Sequence, residues 1–168
     1  MLRRIARLRV PLGFLFGIVA LWLATPTFTT LMWGTVVALT GEMVRIWAAG
    51  HLEKGREVTR SGPYRVTRHP LYLGSTLIGI GLTIAAANIW VASIVFAYLA
   101  VTLTAAIRTE EAHLTEKFGA AYPDYRAGRG EAVSRSFSLD RALRTNREYR
   151  AAIGVLAVLA VLWIKLRV

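Results

Sequence analysis

The sequence predicts an all-α fold, a polytopic transmembrane bundle of about five helices, because apolar runs of bilayer length recur along it. Three observations point there. Hydrophobic residues make up 55% of the 168 residues, and the mean hydropathy is +0.45. The formal charge is +11, with 21 Lys and Arg against 10 Asp and Glu, yet the basic residues fall in blocks between apolar runs. That pattern fixes membrane orientation and argues against a nucleic-acid surface, which would spread its charge over a soluble face. Cysteine is absent, which excludes disulfides, thiolate zinc sites and a cysteine nucleophile.

The first apolar run, Val10 to Ala24, ends at Thr25-Pro26-Thr27, where proline bars the residue before it from helix. Leu2 to Arg9 ahead of it resembles a secretory signal, but no Ala-x-Ala cleavage site follows, so it reads as a retained anchor. The second run extends from about Thr29 to Ala49. A polar loop, Gly50 to Arg68, carries the turn signal Ser61-Gly62-Pro63. The third run, Leu71 to Ala87, starts behind His69-Pro70, with proline in the first turn where its missing N–H is harmless. Its Ser75-x-x-x-Gly79 spacing, with Gly74 and Gly81, allows a neighbouring helix to approach closely. The fourth run, Ile89 to Ile107, continues as a charged extension from Arg108 to Phe118. Gly128 to Ser138 reads as irregular, Leu139 to Tyr149 as a basic interfacial helix, and Ala151 to Leu166 as a fifth apolar helix.

The blocks at Arg3 to Arg9, Lys54 to Arg68 and Arg108 to Arg150 all fall on one side, predicted to be cytoplasmic, while the opposite turns, Thr25 to Phe28 and Asn88, carry no basic residue. Lys165 and Arg167 are the exception. The expectation is an integral membrane protein of a bacterial-type inner membrane, with its N-terminus and its chemistry on the cytoplasmic side.

Polar groups are expensive at membrane depth and mark function there. In Gly62-Pro63-Tyr64-Arg65-Val66-Thr67-Arg68-His69-Pro70-Leu71-Tyr72, a polar loop enters a helix, and His69 and Tyr72 lie one turn apart near backbone N–H groups that favour an anion. Arg108-Thr109-Glu110-Glu111 ends the fourth apolar run; its glutamates suit an ammonium or ribose hydroxyls, and Arg108 suits a carboxylate. Phe118, Tyr122 and Tyr125 are placed to cover an interfacial pocket. Plainer readings stand beside these: His69 as a helix cap, the tyrosines as an interfacial belt, the glutamates as a solvated helix end. Glu42 and Arg45, three apart, are expected to pair with each other on the bundle interior, with the lining of a substrate cavity as the alternative, and His51 and His113 to be surface residues without a metal role.

Taken in order, Val58-Thr59-x-Ser61-Gly62-x-Tyr64, Arg68-His69-Pro70-x-Tyr72 and Glu110-Glu111-x-x-Leu114-x-x-x-Phe118-Gly119-x-x-Tyr122-x-x-Tyr125 resemble the isoprenylcysteine carboxyl methyltransferase family and its phospholipid N-methyltransferase relatives. One domain over 1–168 is expected, with transmembrane helices in 1–49 and a basic interfacial segment and apolar helix in 126–168, both read from hydropathy, around a cofactor-binding motif region in 50–125. The resemblance covers roughly Gly50 to Tyr125. It implies S-adenosylmethionine in a cytoplasmic pocket, with Val58, Thr59, Tyr64, His69, Pro70, Leu71, Tyr72 and Glu110 as its binding residues. The donor's carboxylate, ammonium, adenine and sulfonium suit a helix N-terminus, a glutamate and aromatic faces in turn.

The acceptor implied is lipophilic, an isoprenylcysteine-type carboxylate or a lipid head group, reached from the surrounding membrane lipids. Arg108, His69 and Glu111 are the candidate catalytic residues: Arg108 to orient a carboxylate, His69 or a glutamate to take the proton of an amine or phenol. In the family pattern a carboxylate-binding arginine stands one turn before the glutamate pair, where this chain has Ala106. Either Arg108 substitutes from another angle, or the acceptor is not a prenylcysteine carboxylate. Two rivals remain at the level of sequence. One is a sterol-reductase-type membrane reductase using NADPH, with Arg56, Arg60 and Arg65 for its extra phosphate; the other is a non-enzymatic protein whose basic face binds anionic lipid.

Overall fold

The computed structural model describes residues 2–129 and 135–168, with side chains from residue 13 onward. The α-helices are α1 (Leu2–Leu23), α2 (Phe28–His51), α3 (Pro70–Ala86), α4 (Ile89–Phe118), α5 (Ala121–Arg126) and α6 (Tyr149–Arg167), with a 3-10 turn at Gly62–Arg65 and a π-helical turn at Arg141–Thr145. No strand occurs among the described residues. All five expected apolar helices form. Two of them, α4 and α6, are by themselves long and apolar enough to cross a membrane; α3 and the Gly13–Leu23 part of α1 are shorter apolar helices.

Local chemistry sets the boundaries at the end of the bundle poor in basic residues. Thr27 caps α2 through a reciprocal pair of bonds with Thr30. Ala87, in the left-handed region, closes α3. Asn88 Oδ1 accepts the Trp90 and Val91 amides to start α4, while its Nδ2 donates to Leu23 O at 2.9 Å. The Thr25 amide donates to Ala86 O at 2.8 Å, so the α1–α2 and α3–α4 turns lie side by side. Lys165, the exception to the charge pattern, donates from Nζ to Leu21 O and Trp22 O at 2.9 and 2.6 Å. A cation thereby satisfies the last carbonyls of α1 and sits at the negative end of its dipole.

Helices α2 and α3 run against each other on glycine. A Cβ at Gly41 would stand 2.7 Å from Gly74 O and from Ile78 N, and Gly81 faces Ala38 backbone the same way. Backbone contact this close is available only to residues without side chains. Around it Leu31, Ala38, Ala85, Val91, Leu159 and Leu162 form the core that joins α2, α3, α4 and α6. Trp22, Phe28, Trp33 and Trp90 remain exposed, an aromatic rim of the kind found at membrane–water boundaries.

The basic interfacial helix expected over Leu139 to Tyr149 is shortened: residues 139–145 are helical, the last five as the π turn, and Arg147 takes a φ of 58° before α6 begins. The chain is bent there because Asn146 Nδ2 donates to Ala49 O and Leu52 O, at 2.9 and 3.1 Å, and so satisfies carbonyls at the end of α2. Of the segment read as irregular, residues 130–134 lie outside the described residues.

Candidate active site

At the basic end, the polar loop after α2, the start of α3 and the charged end of α4 meet. His69 is the N-cap residue of α3, but its side chain makes no capping bond. It reaches α4 instead, with Nε2 3.1 Å from Glu111 Oε1. One turn on, Tyr72 donates its hydroxyl to Glu110 Oε2 at 2.6 Å. Two neighbouring glutamates on α4 are thus matched to two side chains one turn apart on α3.

Glu111 also accepts the Tyr122 hydroxyl at 3.2 Å and has Arg68 NH1 at 3.7 Å. Burial raises its carboxyl, but the hydrogen bonds from His69 and Tyr122 and the neighbouring cationic charge outweigh burial and hold it below its ordinary range. An ionised Glu111 can only accept, so the His69 nitrogen facing it is the donor of that bond. Burial, then the Glu111 charge, pushes the Tyr122 hydroxyl up to about 12, so it stays a donor at neutral pH. Tyr64 is buried on the loop and raised by that burial and by Glu110. Tyr125 of α5 donates to its backbone carbonyl at 2.7 Å, under the Arg60 guanidinium.

Apart from Glu111 and Arg60, these groups border a cavity of about 880 Å³. Every residue the sequence put forward for a cofactor, namely Val58, Thr59, Tyr64, His69, Pro70, Leu71, Tyr72 and Glu110, lines it. Glu111 stands behind His69, and Arg108 is exposed and outside the lining. Ala106 lines it too. The helix N-terminus offered to an anion is narrower than expected, because Pro70 has no N–H and the Tyr72 and Leu73 amides both donate to His69 O.

Sequence reading missed several lining groups: Glu53, Lys54 and Glu57 on the loop, His113 and Lys117 on α4, and Ser75 deeper in; Arg45, for which a place on a substrate cavity was the alternative, also lines it. The spacing of His113 from Glu110, i+3, and of Lys117 from His113, i+4, was a usable signal; nothing local marked the others. The expected Glu42–Arg45 pair does not form. Arg45 bonds Glu148 at 2.7 Å and Ser75, while both Glu42 carboxyl oxygens are buried without a hydrogen-bond partner among the described residues. Glu148, brought in by α6, outcompetes a same-helix neighbour because it meets the guanidinium side-on with two N–H donors. His51 is not a surface residue: it is buried, with Nδ1 3.2 Å from Ser61 Oγ and its ring against Gly62. Among the described residues no group of three or more His, Asp or Glu side chains is arranged to hold a metal ion.

The sequence model of the phospholipid methyltransferase family matches residues 9–121. The chain belongs to that family. The match spans α1 to the start of α5, so the helices that carry the cavity are family features, in agreement with the motif resemblance. The family supports a membrane protein of methyltransferase type. Among curated proteins, the chain is 32% identical over 126 residues to the nickel-cobalt-cadmium resistance protein NccN of Alcaligenes xylosoxydans xylosoxydans, covering 74% of this chain and 57% of that one. It is 31% identical over 99 residues to the cobalt-zinc-cadmium resistance protein CzcN of Cupriavidus metallidurans, covering 58% and 44%. The chain thus spans about half the length of these relatives. No solved structure matches it.

Proposed function

We propose that this member of the phospholipid methyltransferase family transfers a methyl group from S-adenosylmethionine to a lipophilic acceptor, with its basic end and cavity facing the cytoplasm. One observation carries the reading: the motif residues of α3, α4 and the polar loop, scattered over more than fifty positions, converge on one cavity. The donor set fits the cofactor chemically. Glu110, Glu53 and Glu57 suit an ammonium and ribose hydroxyls; Lys54, Arg68 and Lys117 suit a carboxylate; Tyr64, Tyr72 and Tyr122 suit adenine and a sulfonium.

When bound, S-adenosylmethionine supplies an electrophilic methyl group on sulfur. The protein's part is alignment and exclusion of water, since in-line displacement asks for no protein nucleophile. Tyr72 fixes the Glu110 carboxylate, and Glu111 fixes the His69 ring through Nε2. An amine or phenol acceptor has a proton to lose, and His69 in its neutral form or a glutamate is the base to take it, with Glu111 stabilising the imidazolium where His69 does so. A carboxylate acceptor needs orientation alone.

The test is incubation of the purified protein with membrane lipid extracts and methyl-labelled S-adenosylmethionine. A labelled product in the organic phase, absent with Glu110→Gln, supports the proposal. Label confined to water-soluble products, or none at all, removes the lipophilic acceptor.

A further inference from the structure

The cavity continues beyond the groups described so far. Its wall on α4 runs from Phe118 through Glu110 and Ala106 to Thr102 and Tyr98, in helical steps that keep one face on the cavity. At 1.5 Å per residue that stripe is about 30 Å long. It changes character at Ala106. Deeper in, α4 offers Leu103, Thr102 and Leu99, and the other wall offers Arg45 of α2 and Ser75 of α3. A Cβ at Gly79 would meet Leu99, which places Ser75, one turn nearer the basic end, at the boundary between the two halves.

Arg45 is held from behind. Its Nε and NH2 donate to Glu148 Oε2 at 3.0 and 2.7 Å, and NH1 donates to Ser75 Oγ at 2.5 Å. Ser75 donates its own hydroxyl hydrogen bond to Leu71 O at 2.9 Å. The Glu148 side chain is 8% exposed and outside the lining, whereas that of Arg45 is 20% exposed and lines the cavity. These bonds use three of the five guanidinium N–H groups. An ion pair that served only to join α2 to α6 has no need of a hydroxyl partner on the cavity wall. Charge at this depth is costly, and where it persists beside a cavity it marks a ligand path.

We propose that Arg45 and Ser75 seat the head of the acceptor, a monoanionic oxygen group such as a carboxylate, with its aliphatic chain along Leu99 and Leu103. This rests on the methyl-transfer reading of the outer half. Arg45 is the cation on the inner wall among the described residues, and a guanidinium pairs with carboxylate oxygens through parallel donors. Arg45 and Glu148 together carry no net charge, so the head is seated by the guanidinium N–H groups that Glu148 and Ser75 do not use, and with buried Glu42 one turn back on α2 a dianion is disfavoured. Ser75 follows Leu71 and Tyr72 by one turn, which puts a seated head next to the donor half. The head oxygen's lone pair forms the new O–CH3 bond as the S–CH3 bond breaks, and sulfur keeps the electron pair. Carboxylate and sulfonium become neutral ester and thioether, no proton is released, and the neutral product loses its hold on Arg45.

The test uses the full chain in phosphatidylcholine nanodiscs saturated with S-adenosylhomocysteine, and calorimetric binding of dodecanoate, dodecyl phosphate, dodecylamine and dodecanol. Dodecanoate is expected to bind tightest, and Arg45→Gln to weaken it about tenfold or more while S-adenosylhomocysteine affinity stays within about twofold. Because Arg45→Gln also strips Glu148 of its partner, Ser75→Ala provides a second variant in which that pair remains; it is expected to weaken dodecanoate several-fold with an unchanged melting temperature. Dodecanoate binding unaltered by Ser75→Ala, or an amine or dodecyl phosphate bound more tightly than dodecanoate, overturns the seat. Failure of the wild type to bind S-adenosylhomocysteine overturns the methyltransferase reading instead.

Discussion

Residues 58–72 with the end of α4, and the stretch after residue 126, build the same cavity by different means. The first stretch puts its side chains on the surface of the cavity: Tyr64, His69, Tyr72 and Glu110 all line it. The second works from behind. Arg135 bonds Glu53 and Glu57 at 3.1 and 2.9 Å, Arg141 bonds Glu53 at 2.9 Å and donates to Gly50 O, and Glu148 holds Arg45. The lining glutamates Glu53 and Glu57 are therefore ordered by arginines that the family match, ending at residue 121, does not include. Positive charge after residue 126 was first an orientation signal; two of its arginines, Arg135 and Arg141, brace an acidic wall. Phe137 completes that scaffold, its ring packed on Gly50 and 6.2 Å from that of His51.

If the two stretches differ in this way, substitutions separate them. The largest effect is expected from Glu110→Gln, which removes a charge from the cavity surface on an exposed helix face: affinity for S-adenosylhomocysteine falls tenfold or more, by roughly 1.5–3 kcal/mol, and the melting temperature barely moves. Arg141→Ala is expected to cost roughly 1–3 kcal/mol of stability, because it leaves Gly50 O and Glu53 short of a donor, and to weaken binding only a few-fold. Thermal melts and titrations on both variants check the contrast. Equal loss of affinity without destabilisation in Arg141→Ala would place that arginine on the ligand and erase the distinction.

The smallest effect is pH-dependent. Glu111 has a folded carboxyl below its ordinary value of 4.5, so its contribution is fully present above that value and is lost as pH falls through the lower folded one. Melting temperature against pH is expected to drop on the acid side, and Glu111→Gln to flatten that drop. An acid limb identical in the variant would show that the His69 and Tyr122 contacts do not hold the carboxylate.

What was legible in the sequence followed from locality. His69 and Tyr72 are one turn apart, Glu110 and Glu111 are adjacent, and turn chemistry at Pro26, Asn88 and His69-Pro70 fixed helix boundaries to within a residue or two. Small residues on α3 announced a close helix contact, but Gly74 and Gly81 are the ones that meet α2, at Gly41 and Gly34, whereas Gly79 of the Ser75-x-x-x-Gly79 spacing faces Leu99 of α4. Arg45 was misread because its partner is 103 residues away, beyond any helical periodicity. His51 was misread because a polar residue at a helix end is usually solvated, whereas here Gly62 and Phe137 close over it. Lys165 broke the charge rule because α1 carbonyls, not lipid head groups, receive it.

The most direct measurement is calorimetric titration of the detergent-solubilised protein with S-adenosylhomocysteine and, separately, with NADPH. Saturable binding of S-adenosylhomocysteine, with NADPH weak or silent, is the expected result. Saturable NADPH binding without S-adenosylhomocysteine binding would contradict it and return the cavity to a reductase.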